Sequence, residues 1–294
     1  MPGRDQAGRG YPVTESKIDP QGFWDKRAET FPRYSGEDDS YEVRMLRLAE
    51  EGGALIKNKR VLDVGCGSGL YSIGLALEAA ELTALDISAK MLNVLRLEAA
   101  KRGLGNIKYV QSDWLEFRQS PQWGFDLIFC SMNPVFRDEA ARERLKLFAP
   151  VQVVYIGWAA PMRSDVTAGL YEKYALNPEA VVDVWAMKQW LERNDFKPSS
   201  EASLGSGVAG SPERPDSLGR KSARRHYSAR PVSGSWAVPF SLDQMKCNSI
   251  NTLNNYGIKP DPDWLDEYLK KFRQDDGSYL EKTLYQVEMI IFGL

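Results

Sequence analysis

The hydrophobic pattern changes character near residue 60. Before it, apolar positions recur at helical spacing, with Val43, Leu46 and Leu48 predicting a helix over about 39–51 that stops at Gly52-Gly53. After it, short apolar runs alternate with amphipathic stretches. "RVLDVG", "ELTALDIS", "NIKYVQSD", "FDLIFCSM" and "VQVVYIGWA" read as five buried strands. Between them, "GLYSIGLALEAA" and "SAKMLNVLRLEAAKRG" read as helices, the second capped by Ser88 and closed by Gly103, and a further helix is expected over about 138–147. Continuous apolar strands alternating with helices imply a parallel sheet covered on both faces.

Beyond the fifth strand the pattern predicts helices over about 164–175, 178–193, 241–256 and 262–273. "LYQVEMIIF" then forms a closing strand. The predicted fold is a doubly wound α/β domain: a mostly parallel seven-stranded sheet, helices on both faces, and an antiparallel strand near the C-terminus. Residues 1–37 are expected to be an arm whose aromatic part, "FWDKRAETFPRY", docks on the rest. Residues 38–294 would form one domain, with a lid or substrate region over about 160–280. The Gly/Ser/Pro-rich stretch 199–235, which carries Arg220, Lys221, Arg224, Arg225 and Arg230, reads as one weak strand plus a mobile insertion near 200–235.

Composition narrows the chemistry. A net charge of -2 and a pI of about 5.7 give no global pull toward nucleic acid or anionic membrane. Cys66, Cys130 and Cys247 are far apart and odd in number, which argues against a disulfide framework and for a reducing cytoplasm. One histidine, His226, leaves no two-histidine zinc site, and no metal is expected. No apolar run approaches the roughly 20 residues that span a bilayer. The oligomeric state has no signature in the sequence.

The chemistry-bearing stretch is "VLDVGCGSG". In an open parallel sheet, a glycine loop after the first strand lies where ligands bind. A dinucleotide loop has the pattern G-x-G-x-x-G. Here Gly65, Gly67 and Gly69 alternate, and Leu70 stands where the dinucleotide pattern has its third glycine. Asp63, at the end of the same strand, would repel a pyrophosphate but favour a sulfonium. The charge pattern therefore favours S-adenosylmethionine over NAD.

With "LTALDIS", "VQSDW" and "FDLIFCSM" following in order, the chain resembles the class I S-adenosylmethionine-dependent methyltransferases from about residue 40 to 160. The resemblance implies that Asp63 sits near the methionine ammonium. Gly65, Gly67 and Gly69, with Cys66 as loop filler, would let the backbone lie against methionine and ribose. Asp86 would accept from the ribose hydroxyls, with Ile87 beside the adenine and Ser88 following. Asp113 would accept from the adenine amino group, with Trp114 near the ring. Cys130 or Ser131 would line the transfer site, and S-adenosylhomocysteine would be the product.

The acceptor is expected to be a small molecule, in a pocket walled by Trp24, Tyr34, Phe136 and Trp158. Two alternatives stay open. Asn133-Pro134-Val135-Phe136 resembles an amino-group methylation motif, which with the basic stretch 220–230, His226 and Tyr227 would suit nucleic acid or protein amines. A catalytically silent cofactor-binding protein would share the same loop. No side chain stands out as a general base.

Overall fold

The computed structural model describes residues 19–118, 124–148, 150–176, 183–199, 225–254 and 256–294. Two helices lead in, α1 (Pro20–Arg27) and α2 (Tyr41–Glu51). The alternating core follows as β1 (Arg60–Val64), α3 (Ser72–Glu78), β2 (Glu81–Asp86), α4 (Ala89–Lys101), β3 (Ile107–Gln111) and β4 (Leu127–Ser131). After a 3-10 turn at Pro134–Arg137 come α5 (Glu139–Glu143), α6 (Leu145–Phe148) and β5 (Gln152–Ser164). The remainder is α7 (Asp165–Lys173), α8 (Asp183–Arg193), β6 (Phe196–Pro198), β7 (Arg225–Phe240), α9 (Leu242–Asn254), α10 (Pro262–Leu269) and β8 (Tyr279–Phe292).

The eight strands lie in the order β3-β2-β1-β4-β5-β8-β7-β6. Strands β1 to β5 are parallel, and β8 runs antiparallel to both β5 and β7. The fold class is the expected one, with one strand more than the seven anticipated. The difference arises in the stretch read as an insertion. Residues 225–235, with Arg225 and Arg230, belong to the 16-residue strand β7, paired with β8 over its whole length. Alternating small and apolar residues there are held by ladder hydrogen bonds to an apolar neighbour, a long-range effect that local composition conceals. Residues 200–224, with Arg220, Lys221 and Arg224, lie outside the described residues.

Side chains alternate across the sheet because the strand period is two. Val61, Phe129, Val154, Ile156, Val287 and Met289 pack on one face under α2 and α3. Leu62, Val64, Ile128, Cys130, Val153 and Ile290 pack on the other, where Val184, Met187, Trp190 and Leu191 of α8 cover them. Helix α8 is thus part of the core rather than of a lid. Its apolar stripe needs a sheet face to bury.

Strands β5, β7 and β8 are 13, 16 and 14 residues long, against five or six for β1 to β4. Strand β5 runs about eight residues past its last pairing with β4, an extension of about 26 Å. Helices α7, α9 and α10 pack around the end of this extension through Val166, Leu170, Met245, Leu253, Leu265 and Tyr268. They form their own small core.

Candidate functional site

The order of strands reverses between β1 and β4, since β1 leads outward to β2 and β3 on one side. Loops leaving the two neighbours there diverge and open a crevice. A cleft of about 350 Å³ lies at this point, lined by Gly65 and Gly67, by Asp86 at the end of β2 and Ile87 beyond it, by Ser112 to Trp114 after β3, and by Met132 to Val135 after β4. Pro20 and Trp24 of α1 also line it.

The glycine loop owes its shape to two causes. Gly65, Gly67 and Gly69 all have positive φ, at 74°, 54° and 94°, a region that favours residues without a Cβ. A Cβ on Gly65 would also stand 2.3 Å from Nδ2 of Asn133, and one on Gly69 2.3 Å from Cδ1 of Leu95. The close neighbours at Gly65 and Gly69 are therefore protein atoms. Gly69 does not line the cleft; it lets the loop pack against α4.

The loop is tied to β2. Gly65 and Cys66 donate to the Leu85 carbonyl at 2.8 and 3.0 Å. Asp86 accepts from Gly67 N–H on Oδ2 and from Ser88 N–H on Oδ1, both at 2.8 Å. Burial raises its pKa, with the two backbone donors opposing. Each carboxylate oxygen keeps a further lone pair for the cleft.

Asp63 lies deeper. Only 3% exposed, it does not line the cleft, and its Oδ2 accepts from Ser72 Oγ at 2.5 Å. Desolvation pushes it up to about 7, Ser72 opposes, and the negative charge of Asp86 adds to the rise. It ties the first turn of α3 to β1, directly beneath the loop.

Asp113 lines the cleft while its Oδ1 accepts from Leu115 N–H at 2.7 Å. Trp114 also reaches the cleft, although it is 4% exposed and belongs to the core. Its Nε1 donates to Ala141 O at 2.9 Å, and its ring stacks on Phe148 with centroids 5.0 Å apart. Ser88 caps α4 through Met91 N–H and does not line the cleft. Cys66 and Cys130 are buried thiols, pushed up by desolvation, and neither lines the cleft. Ser131 sits one residue below the lining residue Met132 and points to the opposite face from Cys130.

Of the expected acceptor walls, Trp24 and Asn133 line the cleft, and Tyr34, Phe136 and Trp158 do not. Phe136 is 1% exposed, packed on Trp114 and Tyr155. Tyr34 lies against Gly74 and under Arg102, and Trp158 packs on the sheet face under α2 and α3. No residue of α7, α9 or α10 lines the cleft. Aromatic content alone could not say which rings the alternating sheet faces would carry apart.

The amine motif is otherwise engaged. Asn133 donates from Nδ2 to Val64 O at 3.2 Å and accepts Val135 N–H on Oδ1 at 3.1 Å. The aromatic fourth residue is buried in the core. Tyr227 is also buried, in the core beneath α8, so it offers no stacking platform.

The aromatic segment before the core docks as expected. Asp25 accepts from Ser88 Oγ at 2.5 Å and from Lys90 N–H at 3.3 Å, fixing α1 to the start of α4. Trp24 meets Phe31 edge to face at 5.9 Å, and Phe31 lies over Gly67. Ser68 Oγ donates to Pro32 O, and Arg102 donates to Tyr34 O at 2.9 Å. Residues 31–35 are strapped across the glycine loop. The sequence offered no sign of Pro20, Met91 or Ser112 as lining residues, since each is ordinary in its local context.

Among the described residues no group of three or more His, Cys, Asp or Glu side chains could hold a metal, and no helix is long and apolar enough to cross a membrane.

Residues 61–151 match the family model described as a methyltransferase domain. The chain is similar to the ubiquinone biosynthesis O-methyltransferase of Cronobacter sakazakii, 35% identical over 108 residues, covering 37% of this chain and 42% of the relative. The enzyme of that name from Acinetobacter baylyi is 31% identical over 110 residues, covering 37% and 43%. The chain thus spans less than half the length of the curated relatives it matches. A solved SAM-dependent methyltransferase from Aquifex aeolicus aligns over 52% of this chain and 78% of its own, at 25% identity and a TM-score of 0.40. Motif order and switch-point cleft agree with that family match, which is confined to residues 61–151.

Proposed function

We propose that this protein binds S-adenosylmethionine in the switch-point cleft and transfers its methyl group to a small-molecule acceptor. The carrying observation is the Asp86 carboxylate, pinned by two backbone donors at the cleft wall, beside a glycine loop whose Gly65 admits no Cβ. A carboxylate with free lone pairs suits a pair of vicinal hydroxyls. The rest of the donor set fits too. Asp113 and Ser112 offer acceptors on the β3 side, and Ile87, Met91, Val135 and Trp114 offer apolar walls for a purine.

When bound, the cofactor supplies an electrophilic methyl group on a sulfonium. The chain's own contribution is positional. Asp86 orients the nucleoside end, the loop fixes the other end over β1, and Trp24 with residues 31–35 shields the cleft from water. Holding two reactants in line can supply roughly 7–11 kcal/mol of the barrier.

The O-methyltransferase relatives support an oxygen acceptor, and the engaged Asn133 amide speaks against a planar amine. The burial of Tyr227 speaks against a stacked single strand. Three free thiols, two of them buried, suit a reducing cytoplasm.

Calorimetric titration with S-adenosylmethionine, S-adenosylhomocysteine and NAD tests the proposal. Micromolar binding of the first two, weakened at least tenfold in Asp86→Ala, is the expected result. Binding of NAD alone, or of none of the three by folded protein, overturns it. Release of S-adenosylhomocysteine on adding hydroxylated acceptors separates an enzyme from a silent binding protein.

A further inference from the structure

Strand β7 is fully paired along one side only. On its inner side β8 meets it over its whole length, whereas on its outer side β6 reaches it at Arg225, His226 and Tyr227. Among the described residues, no backbone group meets the outer edge from Ser228 to Phe240. An open edge of this length is a template for pairing with another chain.

The direction of its backbone groups follows from one hydrogen bond. Ser199 N–H donates to Tyr227 O at 2.8 Å, so Tyr227 turns its backbone groups outward. Every second residue of the strand does the same. The outward set is therefore Ala229, Pro231, Ser233, Ser235, Ala237 and Pro239. Proline has no N–H, and both prolines of the strand fall in this set, where β8 needs no donor. Between them Ser233, Ser235 and Ala237, all exposed, present their N–H and C=O groups to the open side.

This window is its own complement. Placed by a twofold axis at Ser235, the β7 strand of a second copy runs antiparallel to the first. Ser235 then faces Ser235, and Ser233 faces Ala237 on either side, each pair exchanging two hydrogen bonds. Pro231 faces Pro239 at both ends, where neither can donate, and the ladder stops. Every other register puts a proline inside the ladder or shortens it.

The side chains agree with that register. On one face Ser233, Ser235 and Ala237 are all small. On the other, Val232 faces Val238, which is 38% exposed. Trp236 faces Gly234 of the second copy and meets the Tyr285 ring that lies over that glycine. Arg230, the only charge from 228 to 240, faces Phe240 rather than itself. A cation opposite an aromatic ring is a favourable cross-strand pair, and a cation opposite its own copy is not.

We propose that the edge of β7 between Pro231 and Pro239 is a docking surface for a second copy of this chain, joining two sheets across a twofold axis at Ser235. One short ladder is a small interface, so the association is weak and depends on concentration. This pairing is independent of what the cleft binds.

Sedimentation velocity on the full chain from about 5 to about 200 µM tests it. A monomer–dimer equilibrium is expected, weakened about tenfold or more in Ser235→Pro, because each copy loses a central donor. The melting temperature should stay near that of the wild type, since this N–H does not serve β8. The register is read by cysteine pairing in a Cys247→Ser background, which removes the exposed thiol. Facing residues have Cα atoms about 5.5 Å apart, within the span of a disulfide. Mild oxidation should link Ser235→Cys into a dimer and leave Ala237→Cys unlinked. A chain that stays monomeric at the highest concentration, a dimer insensitive to Ser235→Pro, or linkage at 237 and not at 235 overturns the assignment. A monomer whose Ser233, Ser235 and Ala237 amides exchange slowly also overturns it, by showing that the chain covers its own edge. If Ser235→Pro lowers the melting temperature sharply, the cysteine pair decides alone.

Discussion

Asp63 is a carboxyl group sealed beneath the glycine loop, and its burial makes stability depend on pH in an unusual direction. Its ordinary value of 3.8 rises to about 7 in the fold. A carboxyl with a raised folded pKa binds its proton more tightly folded than unfolded. Its favourable contribution is complete below about pH 4 and is lost as pH rises through about 7. The shift is about three units, and each unit is worth about 1.4 kcal/mol, so the full span is at most about 4 kcal/mol. Asp63→Asn cannot ionise, and its amide oxygen can still accept from Ser72. The amide's extra N–H group adds an offset that does not vary with pH. Urea unfolding of both proteins from pH 4 to 8 isolates the effect, because every other titrating group is common to the two. The stability of Asp63→Asn minus that of the wild type should climb by up to about 4 kcal/mol between pH 4 and 8. A flat difference would show that Asp63 ionises with an ordinary pKa and that its burial carries no such penalty.

Gly65→Ala forces a positive φ on a residue with a Cβ and drives that atom into Asn133. A loss of about 2–4 kcal/mol in chemical denaturation is expected, with cofactor binding abolished in the folded fraction. Asp25→Ala removes the tie between α1 and α4 and should cost about 1 kcal/mol. Faster amide exchange confined to residues 20–27 would show it, and unchanged exchange there would count against the docking role. Trp24→Ala removes a cleft wall that is not part of the buried core. Its melting temperature should stay close to the wild type while affinity for S-adenosylhomocysteine falls about tenfold. Equal affinity would mean that α1 does not cover the ligand.

Much of the site was legible because its residues follow strand ends. The alternation of strand and helix places Asp86 at the carboxyl end of β2 and Asp113 just past β3, facing one crevice, whereas Asp63 in β1 lies beneath it. The three glycines marked a close approach to the backbone, but the near neighbours found at Gly65 and Gly69, Asn133 and Leu95, come from distant segments. Trp114 was legible as near the site, whereas its hydrogen bond to Ala141 depends on how α5 packs. The aromatic residues were the least legible. Trp24, Tyr34, Phe136 and Trp158 look alike in sequence, and the structure sends them to four different environments.

The sequence by itself determined the order of elements, the parallel core, the glycine loop and the acidic residue that ends β2, since each is encoded within a few neighbouring residues. The tertiary structure alone decided that residues 225–240 form a long strand, that α7, α9 and α10 gather at the end of the extended strand β5, and that Asn133 and Leu95 close on the glycine loop. Those outcomes depend on contacts between residues far apart in the chain, whose energies come from shared burial and ladder pairing and leave no local periodicity to read.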